Sequence, residues 1–140
     1  MYPYLVAITV FFTSIHASAL EFKVIHPYEQ VALIETTIEL EATETLGALT
    51  IKVLDDSGLE YLGNERGIHS ILETPIGDEA IEVISDTEMK VFGWCFEVDG
   101  QLPVFLADQV QLQPTTKIVE WFFGYARYKE GEWVSYCSRS

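Results

Sequence analysis

Apolar and polar residues alternate along this chain with two different periods, and the order in which those periods change predicts the fold. Glu21 to His26 alternates, with Phe22 and Val24 on one side, which predicts a first strand. A break follows at His26-Pro27-Tyr28. Val31 to Leu40 is then rich in β-branched residues, and Ala32, Ile34, Thr36, Ile38 and Leu40 share one face at period two. The two runs predict an opening hairpin. The period next lengthens: Leu46, Leu49, Val53 and Leu54 recur at helical spacing, with Thr43 or Thr45 available as N-cap and Gly58 as the stop. Gly47 and the β-branched Thr50, Ile51 and Val53 lower the helical propensity of this stretch. It is nonetheless the only good helix candidate in the chain.

From Gly67 onward the signals are β-like again. Ile68 to Leu72 predicts a short strand ended by Pro75 and Gly77. Met89 to Val98 predicts a stronger one, with Phe92, Trp94, Phe96 and Val98 on one face and Cys95 and Glu97 on the other. Asp99-Gly100 supplies the residues of a tight reversal. Val104 to Leu112 is expected to continue as irregular strand until Pro114-Thr115-Thr116 breaks it. Lys117 to Tyr128 and Glu132 to Cys137 are the last strands, joined by a turn at Lys129-Glu130-Gly131. Hairpin, one helix, then several strands predicts an α+β fold, a β-grasp-like mixed sheet packed on one main helix.

Residues 1–19 stand apart. The apolar run Leu5 to Phe12 leads into Ala17-Ser18-Ala19, a small-x-small cleavage pattern, so the segment is expected to be a signal peptide cleaved after Ala19. No Lys or Arg precedes the run, which leaves an uncleaved anchor open as the alternative. Residues 20–140 are expected to form a single domain, about 120 residues being an ordinary domain length. With 49% hydrophobic and 13% aromatic residues, the chain can build a core. The expected localisation is secreted or periplasmic, with no stable membrane insertion once the leader is removed.

Every charged residue follows the leader, so the net charge of −14 belongs to the mature chain. An acidic body repels phosphate backbones, which excludes nucleic acid as a partner. Asp55-Asp56-Ser57-Gly58-Leu59-Glu60 lacks the alternating ligands of a calcium loop and reads as a helix end followed by a turn. Cys95 and Cys137 are an even pair in an oxidising setting and are expected to form one disulfide. Two separately buried thiols or an intermolecular bridge are the alternatives. Such a bond would contribute about 3 to 4 kcal/mol on the chain-entropy model.

The segment Gly93-Trp94-Cys95-Phe96-Glu97-Val98-Asp99-Gly100 resembles the Gly-Trp-x-x-x-Val-Asn-Gly signature of a bacterial domain family of unknown function. That family is similar to the C-terminal β domain of transcobalamin. Leu112 to Phe123 looks like a diverged form of the strand that follows in the family, and Thr45 to Leu49 is similar to the start of its helix. Asp99 stands where Asn is usual, and Thr115-Thr116 replaces a Gly-Asp turn. The resemblance implies a β-grasp module on an exported protein. Cobalamin would follow only by fold analogy, and no cofactor is expected.

Catalytic motifs are absent: there is no Gly-x-Ser-x-Gly elbow, no His-Glu-x-x-His helix and no phosphate loop. His26 is expected in an exposed turn and His69 in a structural role within a sheet. No metal site and no catalytic residue is expected. The aromatic residues are the functional lead, because Trp94, Trp121, Phe122, Phe123, Tyr125, Tyr128, Trp133 and Tyr136 crowd the last third. Adjacent strand residues face opposite ways, so one helix cannot cover all of these rings. The rings left over form either an exposed binding face or a second small core beneath loops.

The expected binding residues are Trp94, Asp99, Gly100, Trp121, Phe123 and Tyr125. The expected function is an exported non-catalytic binding module for a small ligand or a cell-envelope protein. A structural or accessory envelope protein pairing through a sheet edge, or a small secreted hydrolase, are the alternatives.

Overall fold

The opening alternation folds into a hairpin. In the computed structural model, which describes residues 19–40 and 42–140, β1 (Ala19–Ile25) runs antiparallel to β2 (Ala32–Glu39). Leu20, Phe22 and Val24 are buried on one face, opposite Ile38, Thr36 and Ile34. The expected signal peptide lies in residues outside those described, except for Ala19, which pairs with Glu39.

Helix α1 spans Leu46–Ser57. The Thr45 hydroxyl accepts from the Ala48 N–H at 3.1 Å, and Gly58 closes the helix in the left-handed region at φ 72°. Both ends therefore carry the caps that helix termini need. Gly47, unfavourable by propensity, has a packing reason: a Cβ there would collide with the Glu65 carbonyl. That carbonyl belongs to the turn of a separate two-stranded hairpin, β3 (Tyr61–Asn64) and β4 (Gly67–Ile71).

The remaining strands are β5 (Ile81–Ser85), β6 (Glu88–Val98), β7 (Ile118–Lys129) and β8 (Glu132–Arg139). With the opening hairpin they make a six-stranded sheet in the order β2-β1-β7-β6-β5, with β8 also on β7. The β1·β7 pair is parallel and every other pair is antiparallel. The fold is α+β, a β-grasp-like mixed sheet on one main helix. β7 is long enough to hold β6 along one edge and two strands along the other. β1 lies against Ile118–Trp121, and β8 lies against Gly124–Lys129.

The helix and the β3–β4 hairpin cover the same face of the sheet. Leu46, Leu49, Val53 and Leu54 meet Phe22, Val24, Val119, Trp121 and Phe123, while Ile68 and Ile71 join the same core with Trp94. One strand expectation fails. Residues 104–112 form a loop with a short 3-10 turn at Ala107–Gln109, exposed at Val104, Phe105 and Leu106 but anchored in the core by Ala107 and Leu112. Their backbone bonds go elsewhere: Ala107 N–H donates to Arg66, Leu112 N–H donates to Glu44, and the Val110 carbonyl accepts from Leu46. The segment closes the start of α1 instead of extending the sheet.

Candidate functional site

The face turned away from α1 is divided into two chemically different ends. At one end a row of directly opposed residues runs Glu35–Lys23–Glu120–Glu97 across β2, β1, β7 and β6. Glu120 and Glu97 are like charges placed opposite each other, which is unfavourable alone. Arg139, next to the last residue of the chain, bridges them at 2.7 Å and 2.9 Å and lies 3.8 Å over the Phe122 ring. Partial burial works against its charge, but its hydrogen bonds to Glu120 and Glu97 outweigh that and raise its pKa. Lys23 is similarly held charged, by its hydrogen bond to Glu21 and then by the nearby carboxylates.

This end includes an open hollow of about 880 Å³ beside the β1–β2 turn, lined in part by Lys23, His26, Tyr28, Phe122 and Arg139. Its two cations are already matched to Glu21, Glu35, Glu97 and Glu120, leaving no free positive charge aimed at a ligand. His26 Nδ1 accepts from the Tyr28 N–H at 3.1 Å, a local turn bond. His69 points to solvent from β4. Among the described residues no group of three or more His, Cys, Asp or Glu is placed to hold a metal ion.

Cys95 and Cys137 are bonded, with their Cα atoms 5.8 Å apart. The bond ties β8 to β6 across β7 and brings Arg139 to its carboxylates. β8 approaches so closely that a Cβ on Gly124 would sit 2.7 Å from the Ser138 carbonyl oxygen. Phe122 is consequently buried on this second face, under the end of β8.

Beyond the disulfide the same face becomes apolar. Val83, Met89, Tyr128 and Trp133 are directly opposed across β5, β6, β7 and β8, and Ile81, Val91 and Ala126 form the adjoining row. Val83 is 73% exposed, Tyr136 65% and Trp133 43%, while Met89, Val91, Ala126 and Tyr128 between them are half-buried. The Trp133 ring lies between Tyr128, 5.1 Å away edge-on, and Tyr136, 6.0 Å away. Ring contacts of this kind hold the side chains in place, so little freedom remains to be lost on binding.

The expected binding residues lie elsewhere in the fold. Trp94 and Trp121 are buried on the covered face, where their indole N–H groups donate to Thr74 at 2.9 Å and Thr50 at 3.0 Å. Phe123 is core between Trp94 and Phe92. Tyr125 is half-buried beneath Lys90, whose Nζ lies 4.6 Å from the ring centroid. Asp99 and Gly100, at φ 49° and 76°, form the tight turn, and Asp99 Oδ1 accepts the N–H groups of Lys117 and Ile118 at 2.9 Å each. The aromatic crowding seen in sequence is thus shared between a core and an open face. The residues on the open face are Tyr128, Trp133 and Tyr136. Parity could have found Tyr128, which has the parity of Phe122, opposite to that of Trp121 and Phe123. Trp133 and Tyr136 differ in parity and meet only through the irregular β7–β8 register.

No protein-family model matches the chain, and no curated protein matches it. Among solved structures, a Ruminococcus gnavus protein put forward as metal binding is similar. It shares 19% identity over 82% of this chain and 99% of that chain, with a TM-score of 0.47.

Proposed function

We propose that this chain is an exported, non-catalytic binding module that recognises a protein partner through the open aromatic face of β5 to β8. The observation that carries the reading is the row Val83–Met89–Tyr128–Trp133, apolar across four strands, exposed at Val83 and Trp133 and half-buried between them. Contiguous exposed apolar surface of this kind marks interaction sites, and interfaces are enriched in Trp and Tyr. The face is broad and open, whereas small-molecule sites are concave and bury most of the ligand. A protein surface therefore suits it better than a small ligand.

Export is supported by the leader pattern and by the disulfide, which persists in oxidising compartments. Among the described residues no helix is long and apolar enough to cross a membrane. Kinship with the transcobalamin-like bacterial family is part of the same proposal and rests on the Gly93–Gly100 segment. That segment serves as core strand and tight turn, a role that specifies fold rather than ligand.

The test uses purified protein immobilised against envelope and secreted extracts, in parallel with Trp133→Ala and Tyr136→Ala. Each substitution is expected to weaken retention of the partner by about 30-fold or more if its ring is a hot spot. Cobalamin is expected to leave the tryptophan emission unchanged. A partner retained equally by both variants, or a cobalamin-dependent change in emission, would contradict the proposal.

A further inference from the structure

A second surface lies on the opposite side of the molecule, where β2 forms one edge of the sheet. Among the described residues β2 is bonded only to β1, so its outer backbone groups meet no other strand. Exposed edges are usually blunted by charged side chains, Lys above all, by Pro or by a bulge; β2 carries only the carboxylates Glu35 and Glu39. Ala32 to Glu39 has no Lys or Pro, and the hairpin's register shift lies at its far end, between Val24 and Ile25.

Between this edge and α1 runs a groove of about 660 Å³. Ile34, Ile38, Leu49 and Val53 give it an apolar floor. Among the described residues its charged lining is three carboxylates, Glu39, Glu44 and Asp56, against one ammonium, Lys52. Lys52 is itself 3.5 Å from Glu44, so the remaining rim is negative.

We propose that this groove receives an extended segment of a partner protein, apolar at alternate positions and flanked by Lys or Arg, which joins β2 as an additional strand. Each part of that description answers a feature of the groove. The free edge supplies main-chain hydrogen bonds, the mode by which an extended peptide augments a sheet. Side chains on one side of a strand repeat every two residues, about 7 Å apart, matching the alternation that places Ile34 and Ile38 on the floor. The acidic rim selects basic flanks.

The same charges argue against two other occupants. A second copy pairing edge to edge would bring the carboxylates of two β2 strands together, in a chain of net charge −14. The chain's own residues 1–18 contain no Lys or Arg to answer the rim.

The test is titration of purified protein with a fluorescent peptide of alternating Val and Thr between Lys pairs, followed by amide hydrogen exchange of the complex. Saturable binding with new protection along β2 is the expected result. Combining Glu39→Lys with Asp56→Lys, both exposed positions, is expected to weaken the complex about tenfold. Replacing the peptide's Lys by Glu is expected to abolish binding. Trp133→Ala is expected to leave it unchanged, which separates this site from the aromatic face. Absence of binding at millimolar peptide, equal binding of the Glu-flanked peptide, or protection on β5 or β8 instead of β2 would overturn the proposal.

Discussion

At the scale of single residues, the two buried indoles show how aromatic core and polar satisfaction are combined. Trp121 donates to the Thr50 hydroxyl, which in turn donates to the Leu46 carbonyl at 2.7 Å, so the sheet is hydrogen-bonded to α1 through one threonine. Thr50→Val removes the acceptor while keeping the shape and leaves a buried N–H unpaired. Urea denaturation is expected to show a loss of about 1–3 kcal/mol, partly restored by Thr50→Ser.

Tyr61 makes a second residue-scale test. Its hydroxyl donates to Asp55 Oδ1 at 2.6 Å, and that hydrogen bond raises its pKa above 10.0. A raised folded-state pKa means that the contribution is complete below the unfolded value and is lost as pH rises through the folded one. Alkaline titration of phenolate absorbance is expected to show Tyr61 ionising late, and Asp55→Asn is expected to bring it down. Thr50 and Gly47 were visible in sequence only as weaknesses of a helix. Their roles depend on Trp121 and Glu65, distant in the chain, and no local propensity encodes such partners.

At the scale of elements, the strongest periodic segments were legible. The 12-residue helix, with its Thr45 cap and Gly58 stop, lies where its apolar spacing places it. β6 turns Phe92, Trp94, Phe96 and Val98 to the core as its pattern predicts, although its other face is half-buried too. β3 and β5 carried no readable signal: β3 is only four residues long, and all five residues of β5 are exposed. Without one buried side there is no alternation to read. The disulfide pairing was also anticipated, as a tie from the last strand back to the middle of the chain; the close approach of β8 to β7 at Gly124 was not. The bond fixes β8, whose backbone can lie over β7 only because residue 124 has no side chain. Gly124→Ala is therefore expected to lower Tm by several degrees. Gly93→Ala, at the directly opposed position where a Cβ meets nothing within 4 Å, is expected to have little effect in the same melting experiment.

At the scale of the whole molecule, one sheet face builds the core and the other is split into a charge-paired end and an aromatic end. The order of hydrophobic periods was enough to predict the α+β architecture, since that order limits how apolar faces can be buried together. The functional face was not readable in the same way. Val83, Met89, Tyr128 and Trp133 come from four strands and meet only through their register. In sequence Trp94 and Trp121 are indistinguishable from Trp133, and only the packing of α1 and the second hairpin on the sheet buries them. Of the three tryptophans, Trp133 faces outward while Trp94 and Trp121 are core. Collisional quenching of tryptophan emission by acrylamide, in the native protein and in Trp133→Phe, tests this placement most directly. One red-shifted, readily quenched component is expected, which disappears in the variant and leaves blue-shifted, protected emission. An accessible component that persists in Trp133→Phe would contradict the placement.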